Sequence, residues 1–333
     1  MQNIYFHQIF NELQQFNKIA LASLAWAIIV GLLFHFLLPG EQEMKKVDNV
    51  IYKTMEPKTV VTTYNPPEQF YFAGEKVPLH IPDVRERFDR EMHVNLYYHS
   101  NTILMLKRAK RWLPVMGQIL KKNNIPEDFK YLPLIESSLA NAVSYRGAVG
   151  FWQLMEGTAE EFGLEVNNEV DERYDPIKST EVACEYLNRA YRKFGNWTNV
   201  AASYNMGMYG LQRRLNEQQV NSYYDLLLNS ETARYVFRIL ALKEIIENDS
   251  YYGYEFPDKH LYSEEPVKQV MVTRTQNDLV NFAINQGINY KLLKRHNPWL
   301  RTDRLTVRSG ESYTIDIPII NKDDQDSYVH SGK

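Results

Sequence analysis

The sequence predicts a mainly α-helical protein with a small βααβ module towards its C-terminal end and an apolar helix near its N-terminus. Three observations support this fold class. Residues 19–38 contain no Asp, Glu, Lys or Arg. Residues 82–248 place apolar side chains at helical spacing, with no strand pattern among them. After Gly253, two short strand patterns enclose two helical ones. A chain of 333 residues, 44% of them apolar, is too long for one small core, so we expect two folded units with connectors.

The composition excludes several classes of function. The 38 Lys and Arg residues against 41 Asp and Glu give a net charge of −3, which leaves no positive surplus for the phosphates of a nucleic acid. Because Cys184 is the single cysteine, an internal disulfide framework and a thiolate zinc site are both excluded. The histidines show no metal-binding spacing, and the sequence contains no phosphate-binding or dinucleotide-binding glycine motif. We therefore expect no metal, no cofactor and no nucleic-acid partner.

Residues 19–38 are long enough to cross a membrane. At about 1.5 Å per residue, a helix of this length spans roughly 30 Å, the thickness of a bilayer's hydrocarbon core. A cleaved signal peptide is one alternative, but Pro-Gly-Glu-Gln-Glu at 39–43 is a poor cleavage context. A buried soluble helix is another, and the run lacks the polar stripe of such a helix. We expect a retained transmembrane anchor, with residues 1–18 as a short cytoplasmic segment.

Residues 39–81 are interpreted as an extended tether. The segment mixes charged residues with several prolines and sustains no helical period.

Helical periodicity organises residues 82–252 into one all-α domain. The predicted helices cover 84–98, 103–112, a stretch that opens at 114, a stretch that opens at 126–127, a short helix that ends at 163, 176–194, 197–204 and 231–247. Pro114 suits the first turn of a helix, where no N–H donor is needed. Thr158 has capping-box spacing to Glu161. Asp175 is expected to cap the helix that follows it, and Gly195 to end that helix.

The remainder of the chain is predicted to be a linker, a small module and a tail. Residues 253–266 form the linker. Residues 267–320 form the βααβ module, with strands near 270–273 and 313–317 and with helices that start at Asp278 and near Tyr290. Residues 321–333 are polar and are expected to be disordered, with their aspartates solvated rather than bound to calcium.

Glu136 is a candidate general acid. Phe129 and Leu132 precede it at helical spacing, so all three side chains share one helix face. A carboxylate in such an apolar stripe should have a raised pKa, because desolvation disfavours the charged form. A carboxylic acid that stays neutral can protonate a leaving oxygen. On position alone, a structural partner for an Arg or a backbone amide remains the alternative.

Four segments around and after Glu136 together resemble one enzyme family. They are 130–139 (KYLPLIESSL), 147–155 (GAVGFWQLM), 201–207 (AASYNMG) and 231–236 (ETARYV). In this order and at this spacing, they resemble the lytic transglycosylases with a goose-type lysozyme fold, in particular the membrane-bound murein transglycosylase D type. The resemblance covers about 82–248, roughly half of the chain. It implies a lysozyme-like, all-α catalytic SLT domain over 82–252.

The resemblance also implies a reaction. Glu136 matches the family's single catalytic acid, which protonates the β-1,4 glycosidic oxygen between N-acetylmuramic acid and N-acetylglucosamine. The resulting carboxylate then takes the proton of the muramyl 6-hydroxyl, which closes onto C1 as a 1,6-anhydro ring. Hydrolases of the two-carboxylate type need a second Asp or Glu. The segment 136–155 offers no obvious second candidate, although one could come from elsewhere in the chain.

Eight further residues match the family's substrate-binding positions: Ser137, Ser144, Gly150, Gln153, Met155, Tyr204, Asn205 and Glu231. Gly150, with Gly147, would let the backbone approach the sugar closely. Tyr204 is expected to hydrogen-bond Glu136 or the substrate. Trp152 stands where many relatives carry Met, and packing is favoured over stacking on a saccharide.

Residues 267–320 resemble a LysM domain, a βααβ module that binds polymers of N-acetylglucosamine. The matching residues are Asp278-Leu279, Phe282-Ala283, Leu292, Asn297-Pro298, Gly310, Ile315 and Pro318. Asn277 stands where the family usually has Gly, and the first strand lacks the typical aromatic start. Binding of glycan and packing on the catalytic domain therefore both remain open. Trp299 is the aromatic to test for stacking on a sugar.

These inferences predict a peptidoglycan lytic transglycosylase in the cell inner membrane, with a single-pass anchor and its catalytic domain in the periplasm. Its expected partners are peptidoglycan glycan strands and the membrane. Three alternatives remain: a muramidase that uses water on the same fold, a catalytically silent glycan-binding or scaffold protein of the envelope, and a secreted enzyme that attacks foreign walls. The oligomeric state and protein partners are not predicted.

Overall fold

A computed structural model describes residues 62–320 of the chain. Residues 63–320 belong to one compact unit. The predicted cytoplasmic segment, transmembrane helix and C-terminal tail, together with residues 39–61 of the predicted tether, lie outside the described residues. Within 62–320, no helix is both long enough and apolar enough to cross a membrane.

The described part of the chain is mainly helical. Its helices are α1 Pro82–Tyr97, α2 His99–Lys122, α3 Leu132–Ser137, α4 Glu156–Glu161, α5 Pro176–Phe194, α6 Trp197–Met206, α7 Met208–Gln218, α8 Ser230–Glu247, α9 Leu279–Asn285 and α10 Tyr290–His296, and its strands are β1 Tyr71–Phe72, β2 Glu75–Lys76, β3 Val267–Val272 and β4 Tyr313–Pro318. A 3₁₀ helix, Glu127–Tyr131, leads directly into α3. Helix α7 is not among the predicted helices.

Helix α2 differs from the prediction because it continues through Pro114 instead of restarting there. A proline inside a helix removes one backbone hydrogen bond and costs about 3 kcal/mol. Leu106, Leu113 and Leu120 on this helix are all buried in the main core. The burial of this long apolar face offsets the local cost of the proline.

The caps of two other helices also test the sequence prediction. Asp175 caps α5 as predicted, since its Oδ1 accepts hydrogen bonds from the backbone N–H groups of Ile177 (2.8 Å) and Lys178 (3.1 Å). Gly195, with a φ of +70°, ends α5. The capping-box prediction for Thr158 is wrong, because α4 has already begun at Glu156 and Thr158 lies inside it.

The tether prediction is wrong for the described residues near its end. Ala73 and Gly74 both have positive φ, the conformation that a tight two-residue hairpin turn requires, and they join β1 to β2. Phe72 and Val77 on either side of this hairpin are buried in the main core. The Glu75 carboxylate also accepts hydrogen bonds from the backbone N–H (2.9 Å) and the hydroxyl (2.8 Å) of Thr198 in the first turn of α6. This hairpin is therefore part of the helical domain.

The C-terminal module has the predicted βααβ order, with β3 and β4 paired antiparallel from Val267↔Pro318 to Val272↔Tyr313. Asp278 and Asn289 cap α9 and α10 through side-chain oxygens that accept backbone N–H groups. The module has its own apolar core. That core also contains Val149, Val170 and Tyr174, which come from the helical domain.

Candidate active site

Glu136 lies in the last turn of α3. Leu132, Leu134 and Ile135 of the same short helix are buried, whereas Glu136 is only partly buried. The helix ends directly after it, because Ser138 adopts the left-handed conformation (φ +53°). The carboxyl group is therefore held on a rigid element, close to the point where the chain turns away.

Helix α8 packs against α3 and fixes this turn. The hydroxyl of Tyr235, a buried residue of α8, donates a hydrogen bond to Oε1 of Glu136. One turn further along α8, Nη2 of Arg238 donates to the backbone carbonyl of Ile135 (3.1 Å). One contact thus orients the carboxyl side chain and the other holds the backbone beside it.

The pKa of Glu136 is raised above its usual value, as the apolar stripe in the sequence predicts. Burial is the largest cause, because it disfavours the charged form. The hydrogen bond from Tyr235 and the positive charge of Arg238 oppose this effect, and the negative charge of Glu231 adds to it. Burial also raises the pKa of Tyr235, so its hydroxyl remains a donor. The site therefore favours a neutral carboxylic acid that receives a hydrogen bond.

Side-chain hydrogen bonds hold the shape of the loop 140–155, called here the groove loop. Ser137 Oγ donates to the carbonyls of Phe151 (2.9 Å) and Pro133 (3.1 Å), which ties α3 to the loop. Nε2 of Gln153 donates to the carbonyls of Ala142 (3.0 Å) and Gly150 (2.8 Å).

The turn 144–148 of the groove loop is also closed by a side chain, because the Ser144 hydroxyl accepts the backbone N–H of Ala148 (2.9 Å). Ser144 and Gln153, two of the predicted substrate-binding residues, lie in this loop, and Ser137, at the end of α3, bonds to it. All three use side-chain groups to shape it.

Gly150 permits a close approach of backbone to backbone. Its φ is +81°, and a Cβ at this position would lie 1.9 Å from the carbonyl oxygen of Arg173. The sequence pattern predicts that Gly150 lets the backbone approach a sugar. In this structure, the close neighbour that requires a glycine is the backbone of Arg173. Gly147 has a φ of +82° with open space around its Cβ position.

Tyr204 was predicted to hydrogen-bond Glu136 or the substrate, and Glu136 is not the partner that it has here. Its hydroxyl donates to the backbone carbonyl of Trp152 (2.8 Å), and the hydrogen bond to Glu136 comes instead from Tyr235. Trp152 is fully buried, with its Nε1–H donated to Thr180 Oγ1 (2.8 Å), so this side chain packs as predicted. Tyr235 was not among the predicted site residues. The sequence signal that could have indicated it is its position one helical turn after Glu231.

The other predicted binding residues lie at the ends of helices. Asn205 is partly buried near the end of α6, and Met155 is 46% exposed immediately before α4. Glu231 is exposed in the first turn of α8, one turn before Tyr235. Its negative charge is the smallest contribution to the shifted pKa of Glu136.

Three further observations concern other candidate binding features of the described residues. Among residues 62–320, no group of His, Cys, Asp and Glu side chains is arranged to hold a metal ion. A cavity of about 570 Å³ lies between α2 and the segment 246–261, and none of the predicted site residues lines it. Trp299 is only 6% exposed and stacks on Tyr313, so its ring does not offer a surface to a sugar.

Comparison with known proteins adds independent findings. Residues 115–226 match the family model of the transglycosylase SLT domain, and residues 268–321 match that of the soluble lytic transglycosylase C-terminal LysM-like domain. The chain is 27% identical over 253 residues to the membrane-bound lytic murein transglycosylase D of Escherichia coli K12, which corresponds to 73% of this chain and 54% of that protein. The same values hold for the protein of this name from Escherichia coli O6:H1.

The chain thus spans about half the length of the curated relatives that it matches. Among solved structures, the 70 kDa soluble lytic transglycosylase of Escherichia coli is 23% identical with a TM-score of 0.34, over 42% of this chain and 24% of that chain. A score this low supports no argument. From the two family matches, the chain carries a transglycosylase SLT domain followed by a LysM-like domain of the kind found at the C-terminus of soluble lytic transglycosylases.

Proposed function

We propose that this protein is a peptidoglycan lytic transglycosylase, with Glu136 as its only acid and base. The observation that carries the proposal is the state of Glu136: a partly buried carboxyl group with a raised pKa, held by Tyr235 at the edge of the groove loop of an SLT domain. The relatives named for lytic transglycosylase activity on murein supply the substrate class.

The proposed reaction uses one carboxyl group twice, first as an acid and then as a base. The neutral carboxylic acid of Glu136 donates its proton to the glycosidic oxygen as the bond from C1 of N-acetylmuramic acid to that oxygen breaks. The N-acetylglucosamine portion leaves as an alcohol. The Glu136 carboxylate then accepts the proton of the muramyl 6-hydroxyl as its oxygen bonds to C1. The products are a 1,6-anhydro end and a regenerated acid, and no water is consumed.

Tyr235 supports both halves of this cycle. Its hydrogen bond to Oε1 stabilises the carboxylate that forms after the first proton transfer, while burial favours the neutral acid before it. Burial and the hydrogen bond thus act on the pKa of Glu136 in opposite directions, as suits a group that must both give and take a proton.

A muramidase that uses water is the second candidate, and one observation favours it. The negative charge of Glu231 contributes to the raised pKa of Glu136, and this carboxylate lies in the first turn of the helix that carries Tyr235. Hydrolysis with two carboxylates would need Glu231 to activate water or to stabilise the sugar cation.

Paired substitutions separate the two reactions. For the transglycosylase, Glu136→Gln should lower kcat for the release of soluble fragments from purified sacculi by about 10²–10⁴-fold. Glu231→Gln, at an expected substrate-binding position, should raise the KM and leave most of the kcat. For the two-carboxylate muramidase, both variants should lose activity to a similar extent. Glu127→Gln is the control, since this exposed glutamate pairs with Lys130 and lies outside the site. An inactive wild-type protein that still binds sacculi would support the silent scaffold instead.

We also propose that residues 19–38 anchor the chain in the inner membrane and that the catalytic domain faces the periplasm. The uncharged run is long enough to span a bilayer, and the proposed substrate lies on that side. The full chain should remain in the membrane pellet after alkaline carbonate extraction, and a protease added to spheroplasts should reach residues beyond 38. Release into the supernatant would contradict the anchor.

A further inference from the structure

The segment 164–175, called here the bridging segment, lies between the groove loop and the LysM-like module. Its backbone pairs with the module: the N–H of Asp171 donates to the carbonyl of Trp299 (2.9 Å), and the N–H of Arg301 donates to the carbonyl of Glu169 (2.8 Å). Val170 lies between these two contacts and is buried in the module's core. The module therefore extends its backbone hydrogen bonding onto the helical domain.

Side chains strengthen this contact. The Glu169 carboxylate accepts hydrogen bonds from the backbone N–H (2.7 Å) and the hydroxyl (3.1 Å) of Thr306. The hydroxyl of Tyr313, on β4, donates to Oε2 of Glu165 (2.8 Å). Both acceptors are carboxylates, and hydrogen bonds to charged groups are stronger than those between neutral groups.

Apolar contacts join the same elements. Val149 of the groove loop and Tyr174 of the bridging segment are both buried in the module's core. The guanidinium of Arg301 lies 3.9 Å from the centre of the Tyr174 ring. Folding of the module and packing of these helical-domain residues therefore bury a shared set of side chains.

On its other side, the bridging segment holds the groove loop through Arg173. This residue is 6% exposed and Asp171 is 7% exposed, and they form a two-pronged ion pair with N–O distances of 2.9 and 2.8 Å. Nη1 of Arg173 then donates to the carbonyl of Gly147 (3.2 Å). The carbonyl of Arg173 itself fills the space that Gly150 leaves open.

We infer that the LysM-like module holds the groove loop in its substrate-binding conformation, through Asp171 and Arg173 as positioning residues. Asp171 is bonded to the module by its backbone and to Arg173 by its side chain, and Arg173 is bonded to the loop. The Glu136 carboxyl group receives its own hydrogen bond from α8, through Tyr235, although Ser137 beside it bonds to the loop at Phe151. Loosening the module should therefore weaken substrate binding by the loop and leave the titration of the acid unchanged. The kinetic part of this inference rests on the proposed function.

Two matched Tyr→Phe variants of the full chain test the inference. Tyr313→Phe removes the hydroxyl that reaches Glu165 and keeps the ring. The control, Tyr290→Phe, removes a hydroxyl whose hydrogen bond stays inside the module, to the carbonyl of Thr302 (3.3 Å). The double variant Tyr313→Phe/Glu169→Gln weakens both carboxylate contacts at once.

Hydrogen exchange of peptides covering 142–155 gives a readout that does not depend on catalysis. We expect exchange of these amides to be about fivefold faster in Tyr313→Phe, faster again in the double variant, and unchanged in Tyr290→Phe. On sacculi, the KM should rise about fivefold in Tyr313→Phe. The kcat and the alkaline limb of its pH profile, which reports the titration of Glu136, should be unchanged.

Unchanged exchange in both Tyr313→Phe and the double variant would overturn the inference. A shifted alkaline limb of the kcat pH profile in Tyr313→Phe, with an unchanged KM, would also overturn it, because the substitution would then act on the titration of Glu136. If the wild type has no transglycosylase activity, the proposed function is refuted. If exchange is nevertheless faster in Tyr313→Phe than in that wild type, the structural link between the module and the loop still stands.

Discussion

Replacing Gly150 with alanine probes how tightly the groove loop packs on the bridging segment. Gly150 (φ +81°) and Gly147 (φ +82°) have almost the same positive φ. A Cβ on Gly150 would lie 1.9 Å from the carbonyl oxygen of Arg173, whereas nothing lies within 4 Å of the Cβ position of Gly147. Gly147→Ala is therefore a matched control, because the two variants share the backbone strain and differ in the collision.

The two costs can be separated. A left-handed backbone costs a residue with a Cβ about 1–2 kcal/mol, so Gly147→Ala should lower the free energy of unfolding by that amount. In Gly150→Ala, even a separation of 3.0 Å would require the Arg173 carbonyl to retreat by about 1 Å. Arg173 is buried and paired with Asp171, so this movement meets resistance. Overpacking adds about 1–3 kcal/mol, for a total of about 2–5 kcal/mol.

Urea unfolding of both full-length variants, followed by far-ultraviolet circular dichroism, measures this difference. We expect the unfolding midpoint of Gly150→Ala to lie clearly below that of Gly147→Ala, with equal slopes. Equal midpoints would refute the conclusion that Gly150 is required by the approach of Arg173.

Three other substitutions have defined outcomes. Tyr235→Phe removes the hydrogen bond that favours the Glu136 carboxylate, so the alkaline limb of the kcat pH profile should move to higher pH; a downward move would contradict the assignment. Glu231→Gln removes a negative charge that disfavours ionisation of Glu136, so the same limb should move to lower pH, and no movement would mean that the two groups do not interact. Thr180→Val leaves the buried Nε1–H of Trp152 without its acceptor and should cost about 1–3 kcal/mol in urea unfolding, which wild-type stability would disprove.

Local patterns were sufficient to predict much of the helical domain. Asp175 and Gly195 mark the ends of α5 because capping depends on residues within one turn. Pro114 misled the prediction of α2, since the burial of Leu106, Leu113 and Leu120 on that helix outweighs a local penalty that the sequence shows clearly. The hairpin around residues 71–76 was hidden by the prolines near it.

The contacts of the site are non-local, and for that reason sequence reasoning predicted them only in part. Glu136 was found from its own helical stripe, but its partner Tyr235 lies 99 residues further along the chain. Tyr204 was expected to contact Glu136 or the substrate, and its hydroxyl binds the carbonyl of Trp152. No pattern within either domain indicates that Glu169 meets Thr306, which is 137 residues away.

The central claim is that Glu136 cleaves glycan strands without water, and the chain ends of the products test it most directly. Full-length wild type and Glu136→Gln would be incubated with purified sacculi in water labelled with heavy oxygen, and the new ends would be read by mass spectrometry. We predict ends that are one water lighter than reducing muropeptides, without label, and formed only by the wild type. Labelled reducing ends would show that water is the nucleophile, and anhydro ends from Glu136→Gln would show that another residue is the acid.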